Sequence, residues 1–339
     1  MHAASSCVLG LRTVVRYPPL RTPSLGTAFA RATGRGRSVV TRAEADTKAT
    51  GAVMKKTIDA HLHVWPSPEI HAYPDGKEPP ASLASISTAE SLLKQFETAN
   101  VDGALIVQPI NLGFDHTYVT NCINDHPGSF VGCCLADPTV NGGGLKALKG
   151  LLTPDGPYRA VRFNPSLWPE GTRMNNSVGR EMFKLAGERN AVVGFMCFHG
   201  LDLHLEDIKD LMSEFPDTKV MMDHFGFVKG VEDSNWQALL SLAEYPQVVV
   251  KASAQFRVAV PGASVWPYTS TGEQLKQLVS TFGAHRVIWG SDFPFVTEKC
   301  GYEKASLIIE QCGGGLSPEE VEKVMGGNVV RMFPGGWSD

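Results

Sequence analysis

From residue 57 onward, the chain alternates short apolar runs with longer amphipathic segments. The short runs are rich in Val, Ile, Phe, Met and Cys and lack strict polar alternation, which is typical of strands buried on both faces. Eight such runs predict eight strands, over residues 57–64, 103–108, 130–135, 159–163, 192–198, 219–223, 248–252 and 287–290.

The segments between these runs have the apolar spacing of helices. Residues 87–90 contain two hydroxyl-bearing residues followed by a glutamate, which predicts the capped start of a helix. Ser317-Pro318 predicts the start of the last helix. Other helices are predicted over residues 177–189, 205–215, 236–244 and 273–282.

Strand–helix alternation repeated eight times predicts a (β/α)₈ TIM barrel over residues 55–336. An open doubly wound sheet is the alternative fold. It usually carries a glycine-rich phosphate turn after its first strand, and His63-Val64-Trp65-Pro66 has no glycine.

Residues 1–50 differ in composition from the rest of the chain. The first 43 residues contain seven Arg and no Asp or Glu, and they are rich in small and hydroxyl-bearing residues. This composition predicts a transit peptide, with the chloroplast (plastid stroma) favoured and the mitochondrion as the alternative. A disordered basic extension, or a translation start at Met54, is also compatible with it.

Charge and cysteine usage narrow the class of protein. The whole chain carries −4, and without the seven N-terminal arginines it carries −11, which argues against nucleic acid or an anionic membrane as a partner. We therefore expect a small-molecule substrate, and a homodimer is one alternative for the assembly. The seven cysteines have irregular spacing and no Cys-x-x-Cys pair, which predicts buried, reduced thiols.

The first predicted strand carries two histidines, His61 and His63. Side chains two apart in a strand share one face, so both imidazoles aim at one point. A metal ion or a polarised substrate oxygen would use such a pair.

Polar residues also follow the other strands, at the end of a (β/α)₈ barrel that carries reactive groups. These residues are Gln108, Asp137, Arg162, Asn164, His199, Asp223, His224, Arg257 and Asp292.

The chemistry of this set is coherent. His61, His63, His199 and Asp292 offer the nitrogen and oxygen ligands of one Zn²⁺ or Mn²⁺, with positions left for water or substrate. Asp292 is the best general base.

The remaining candidates would assist catalysis or bind substrate. His224 is a general acid or base, and Arg162 and Arg257 suit a substrate carboxylate, with Asn164 beside them. Three simpler roles stay open: Asp292 as a helix cap, His199 as a loop residue and Arg257 as a solvated charge. Surface positions are predicted for His71, His116, His126, His204 and His285.

Several motifs together resemble the amidohydrolase superfamily, in its amidohydrolase 2 branch of metal-dependent TIM-barrel hydrolases, over residues 57–333. They are Ile58-Asp59-Ala60-His61-Leu62-His63-Val64-Trp65, Val161-Arg162-Phe163-Asn164, Met222-Asp223-His224-Phe225-Gly226, Trp289-Gly290-Ser291-Asp292-Phe293-Pro294 and Gly327-Asn328-Val329-Val330-Arg331-Met332-Phe333.

The resemblance implies roles for individual residues. His61 and His63 match the strand 1 pair, His199 the strand 5 ligand, His224 the strand 6 histidine and Asp292 the catalytic aspartate. Arg162 and Arg257 resemble the arginines that bind substrate carboxylates in the dicarboxylate lactonases. No lysine ends strand 4, so the resemblance implies at most one metal ion. Some lactonases of the branch work without a tightly held metal, and that alternative stays open here.

Three functions follow from these residues. The first is hydrolysis of a small carboxylated cyclic ester, or a related C–O or C–N bond, with Asp292 activating water. The second is metal-dependent decarboxylation of a small carboxylic acid. The third is a catalytically retired barrel that only binds a ligand.

Overall fold

The computed structural model describes residues 55–139, 141 and 143–338. The predicted transit peptide over residues 1–50 lies outside these residues. All eight predicted strands are confirmed, with small differences at their ends. They are β1 Ile58–Leu62, β2 Gly103–Val107, β3 Phe130–Leu135, β4 Tyr158–Phe163, β5 Val192–Phe195, β6 Val220–Met222, β7 Val248–Ser253 and β8 Val287–Gly290.

Helices alternate with these strands. The side chain of Thr88 caps the second helix by accepting from the Ser91 amide, and Ser317 forms a capping box with Glu320 at the start of the twelfth. The helices are α1 Ala81–Ala84, α2 Ala89–Ala99, α3 Thr117–Asp125, α4 Gly144–Leu151, α5 Ser177–Glu188, α6 Leu205–Glu214, α7 Asn235–Ser241, α8 Gln255–Val258, α9 Ser270–Phe282, α10 Tyr302–Ala305, α11 Ile308–Gln311, α12 Pro318–Glu322 and α13 Asn328–Met332.

The strands form a nearly closed parallel barrel. Neighbours pair in chain order from β1 to β8. Beyond the last strand, the Asp292 amide donates to the His61 carbonyl at 2.8 Å, and the His63 amide donates to the Phe293 carbonyl at 2.7 Å. These two bonds form the seam between the first and last strands. The predicted TIM barrel is therefore confirmed.

A buried carboxylate and a glycine fix the seam. Asp59 accepts from the backbone amides of His61 at 3.0 Å and Ser291 at 2.9 Å, and from the Tyr302 hydroxyl at 3.0 Å. Burial raises the pKa of Asp59 to about 6, although these hydrogen bonds act in the opposite direction. A Cβ on Gly290 would lie 2.8 Å from both Cβ and N of His61, so this close approach requires glycine.

Apolar packing fills the rest of the barrel. A large cluster lies between strands and helices, and a smaller one joins strand residues such as Ile58, Val107 and Ile288 to Phe333 near the C-terminus. The six cysteines that the structure describes are free, and five of them are buried, as predicted. Within the described residues, no helix is long and apolar enough to cross a membrane.

Candidate active site at the barrel mouth

A cavity of about 270 Å³ opens at the carboxyl ends of the strands. Five of the sequence-predicted site residues line it together: His63, Arg162, His224, Arg257 and Asp292. The remaining lining residues are largely apolar: Trp65, Pro109, Ile110, Asn111, Met196, Phe198, Phe227 and Phe295.

Asp292 lies at the centre of the charged part of this cavity. It is 2% exposed and adopts a left-handed φ of 62°, a conformation rare outside glycine and common at functional sites. Its Oδ2 accepts from Nε of Arg257 at 2.6 Å. Its Oδ1 lies 3.7 Å from Nε2 of His63 and 3.9 Å from Nε2 of His224. Asp292 thus pairs with an arginine on one oxygen and faces two imidazoles with the other.

Burial raises the pKa of Asp292 to about 6, although Arg257 acts in the opposite direction. The carboxylate is therefore ionised at neutral pH, yet its basicity exceeds that of an exposed aspartate. A carboxylate of this kind is suited to take a proton from water.

His63 presents an unprotonated nitrogen to the cavity. Its Nδ1 lies 2.8 Å from the Val107 carbonyl, which can only accept, so Nδ1 carries the proton and Nε2 the lone pair. Burial and the charge of Arg162 lower the pKa of His63 to about 3, which keeps the ring neutral.

His61 lies beneath the cavity and is completely buried. Its Nδ1 faces Nζ of Lys251 at 3.1 Å and Oδ1 of Asp223 at 3.3 Å. The shorter contact is to an ammonium, which can only donate, so the proton of the neutral ring is assigned to Nε2. Burial and the charge of Lys251 hold the pKa of His61 well below its usual range. Among the described residues, Nε2 of His61 has no hydrogen-bond partner.

A buried ion network supports His61. Lys251, on β7, lies 3.0 Å from Oδ1 of Asp223, whose Oδ2 accepts from Nε of Arg162 at 3.0 Å. Burial alone would raise the pKa of Asp223, but the charges of Lys251 and Arg162 hold it well below its usual range. Asp223 therefore remains ionised between two cations.

His224 completes the group of imidazoles. Its Nδ1 forms a 2.7 Å hydrogen bond with the Ser253 hydroxyl, and its ring centroid lies 4.3 Å from that of His61. Burial holds the pKa of His224 well below its usual range, against the influence of Asp223. The ring is therefore neutral and available for proton transfer.

Two predicted site residues are not part of this group. His199 lies in a turn beyond the end of β5, is exposed, and packs its ring against Phe198. Asn164 is buried, but its Oδ1 accepts from the Ser166 amide and caps a short 3₁₀ turn. The structure does not bring either side chain to the cavity, because each is held by local contacts.

The structure differs from the sequence-based expectation at Lys251 and His116. Lys251 lies inside an apolar run and is buried. A lysine is rarely found in a strand that is buried on both faces, and its presence there is the signal that indicates a site residue. His116 was predicted on the surface, but it is 9% exposed. Its Nε2 accepts from the Leu135 amide at 3.0 Å, and its Nδ1 donates to the Phe114 carbonyl at 2.9 Å. That surface prediction was wrong.

The donor set at the seam fits one divalent ion. His61, His63 and Asp292 offer ligand atoms within 4.8 Å of one another. Nε2 of His61 is buried without a partner among the described residues, and it would have to give up its proton to bind a metal. Two imidazoles and a carboxylate are common zinc ligands.

The surrounding charges act against a cation. Three cationic groups, Arg162, Lys251 and Arg257, meet two carboxylates, Asp223 and Asp292, in ion pairs. With neutral imidazoles these five side chains, which do not include Asp59 at the seam, carry one net positive charge. A carboxylate in the substrate would neutralise it, and a divalent cation would increase it.

A buried carboxylate with imidazoles at the mouth of a parallel (β/α)₈ barrel is typical of the active site of a TIM-barrel enzyme. Residues 58–335 match the family model described as Amidohydrolase, and the chain belongs to this family. It is therefore an amidohydrolase-type enzyme.

Known proteins similar to this chain support that class. An L-fucono-1,5-lactonase from Burkholderia ambifaria is 25% identical over 297 residues, which cover 81% of this chain and 94% of that protein. A probable 2-pyrone-4,6-dicarboxylic acid hydrolase from Acinetobacter baumannii, with citric acid bound, has a TM-score of 0.64 at 21% identity, covering 82% of this chain and 99% of its own. An amidohydrolase from Burkholderia multivorans with bound zinc has a TM-score of 0.62 at 18% identity, covering 82% and 98%.

Proposed function

We propose that this enzyme hydrolyses a small carboxylated lactone, with Asp292 as the base that activates water. The observation that carries the proposal is the position of Oδ1 of Asp292, buried and within 4 Å of two neutral imidazoles. The separations of 3.7 and 3.9 Å are too long for direct hydrogen bonds. A water molecule bound to Oδ1 would lie within reach of His63 and His224.

The reaction follows from these groups. Asp292 takes a proton from water as the water oxygen bonds to the lactone carbonyl carbon. The ring C–O bond then breaks, and the leaving ring oxygen receives the proton that Asp292 took from water, either directly or by transfer through His224. Nε2–H of His61 lies beneath the cavity and has no partner among the described residues, and we propose that the carbonyl oxygen accepts from it as that oxygen gains negative charge.

The substrate carboxylate would bind through arginine. Arg162 and Arg257 both line the cavity, and the guanidinium of Arg257 lies 4.6 Å above the Phe295 ring. The aromatic face restricts how the guanidinium can turn, and a planar fork suits a carboxylate.

A divalent metal, if bound by His61, His63 and Asp292, would polarise the lactone carbonyl as a Lewis acid. The acid–base roles of Asp292 and His224 and the carboxylate contacts described above belong to the protein itself.

The test is a panel of carboxylated lactones assayed with the wild type and with Asp292→Asn. We expect ring opening by the wild type and a loss of about 10²- to 10⁴-fold in the variant, the usual contribution of a positioned acid–base group. Equal inertness of both proteins, or equal activity, would contradict the proposal.

The same assay separates the alternatives. Release of CO₂ without ring opening would indicate the decarboxylase. A ligand bound equally well by the wild type and Asp292→Ala, with no turnover, would indicate the retired barrel. The imidazoles of His63 and His224 both face Asp292, and this arrangement supports catalysis over ligand binding alone.

We also propose a plastid location and a small-molecule substrate, with a homodimer as the assembly to test. The basic, acid-free composition of residues 1–43 supports the location. Fusing residues 1–50 to a fluorescent protein in plant cells should direct it to chloroplasts. Retention in the cytosol would contradict this location.

A further inference from the structure

The cavity has a charged floor and an apolar rim. At the floor, the side chains of His63, Arg162 and Asp292 are at most 8% exposed. At the rim, Ile110 is 48% exposed and Phe198 is 55% exposed, and both line the same opening. A ligand with its charged end at the floor therefore meets apolar surface towards the mouth.

Aromatic rings form two walls between floor and rim. On one wall the Trp65 ring packs edge-on against Phe295, with centroids 5.3 Å apart. On the other wall Phe198 packs edge-on against Phe227, also at 5.3 Å. Phe227 in turn lies 4.9 Å from the His224 ring, so this wall reaches the reacting groups.

The cavity offers little to a hydroxyl group away from its floor. Away from the floor, the described lining residues offer two neutral polar side-chain groups, the amide of Asn111 and the indole N–H of Trp65. Nδ2 of Asn111 donates to the Lys77 carbonyl at 2.8 Å, and Nε1 of Trp65 has no partner among the described residues. A ring with several hydroxyl groups between the aromatic walls would lose more contacts with water than these two groups can replace, which costs binding free energy.

We infer that the substrate carries an apolar ring face or alkyl substituent that reaches the rim, and that polyhydroxylated sugar lactones are poor substrates. This inference rests on the proposed lactonase function, because it orients the substrate by a carboxylate at the floor. It names the class of substrate as a hydrophobic carboxylated lactone.

Binding of stable ring acids tests the inference without depending on turnover. Cyclohexanecarboxylate and its tetrahydroxy analogue quinate share a six-membered ring and a carboxylate. Calorimetric titration of the full chain should show the unsubstituted acid binding at least about tenfold more tightly. A methyl or ethyl group opposite the carboxylate should add about fourfold per methylene.

Variants at the rim test whether the rim residues cause the tighter binding of apolar acids. Phe198→Ser and Ile110→Ser, both half exposed and therefore tolerable to the fold, should each weaken the apolar acid by up to about tenfold and leave quinate unchanged. Leu307→Ser is the matched control, because Leu307 is 42% exposed and lies outside the cavity.

The outcomes distinguish the two proposals. Equal or tighter binding of quinate, or no effect of the rim variants on the apolar acid, would overturn the substrate class even if lactones are hydrolysed. Preference for the apolar acid in a protein that opens no lactone would support the hydrophobic site and overturn the lactonase.

Discussion

Lys251 donates to Nδ1 of His61 across 3.1 Å, in a part of the barrel where neither residue is more than 1% exposed. The two residues of the His-x-His pair are therefore in opposite tautomers. His61 presents an N–H at Nε2, whereas His63 presents a lone pair, because the Val107 carbonyl holds its proton on Nδ1.

Replacing Lys251 should move the proton of His61. In Lys251→Met, Oδ1 of Asp223, which lies 3.3 Å from Nδ1, becomes the acceptor and the proton shifts from Nε2 to Nδ1. We expect kcat/KM to fall by about 10- to 100-fold, as for other groups that orient a site imidazole. Nitrogen NMR of protein labelled at histidine reads the tautomer directly.

Lys219→Met is the control for that variant, because Lys219 is exposed just before β6. It should leave both the tautomer and the rate unchanged. If Lys251→Met retained the proton of His61 on Nε2, the assigned role of Lys251 would be wrong.

Metal removal should have little effect on the wild type. The net positive charge of the group around His61 and Asp292 opposes a divalent ion, so we expect less than one equivalent of zinc or manganese and activity that survives chelation. Lys251→Met removes one positive charge and frees Nε2 of His61, and it should bind zinc more tightly than the wild type. One tightly held equivalent of metal, with activity lost on chelation and restored by zinc, would refute this expectation.

Arg257 should select for a substrate carboxylate. Arg257→Gln should reduce kcat/KM for every substrate, because the guanidinium also pairs with Asp292. The loss should be about 10- to 100-fold greater for a carboxylated lactone than for its methyl ester, the usual range for a hydrogen bond to a charged group. An equal loss for acid and ester would assign carboxylate binding to another residue.

Gly290 should tolerate no side chain. Gly290→Ala places a Cβ 2.8 Å from the backbone nitrogen of His61, and we expect a loss of about 1–3 kcal/mol in the free energy of unfolding together with reduced activity. Gly150→Ala is the control, because a Cβ there meets nothing within 4 Å in α4 and should stabilise the helix by up to about 1 kcal/mol. Denaturant unfolding measures the free energy of unfolding of both variants. A Gly290→Ala variant as stable as the wild type would show that the seam can widen.

His116 should make the fold sensitive to mild acid. Burial lowers the pKa of His116 from 6.5, and Nε2 of the neutral ring accepts from the Leu135 amide. The native state thus binds fewer protons than the unfolded chain. The contribution of His116 to the free energy of unfolding is complete above a pH of about 6.5. It is lost as the pH falls towards the lowered pKa of His116.

The difference in unfolding free energy between the wild type and His116→Gln should therefore shrink as the pH falls below 6.5. His285→Gln, at an exposed position, should show no such dependence. A difference that stays constant with pH would rule out this role for His116.

The sequence predicted those features that depend on local pattern. Apolar runs located all eight strands, and barrel geometry then placed His63, Arg162, His224, Arg257 and Asp292 around one cavity. Whether Asp292 bonds to a helix terminus or to Arg257 depends on side chains 35 residues apart, and only the structure showed the arginine contact.

Other features could not be read from the pattern. The fifth strand ends at Phe195 and not at residue 198, so His199 falls in an exposed turn. Asn164 caps a turn formed by the residues that follow it. The sequence does not distinguish this local use of asparagine from a role in substrate binding. The role of Lys251 could not be predicted, because its partners, His61 and Asp223, are distant from it in sequence.

The Asp59–Ser291 contact joins residues 232 positions apart. His61 and His63 lie on one side of this join and Asp292 on the other, so a barrel missing either end strand holds either the histidine pair or Asp292, and never all three. Catalytic activity is consequently a reporter of complete ring closure, and in refolding experiments its recovery should mark the docking of the last strand against the first.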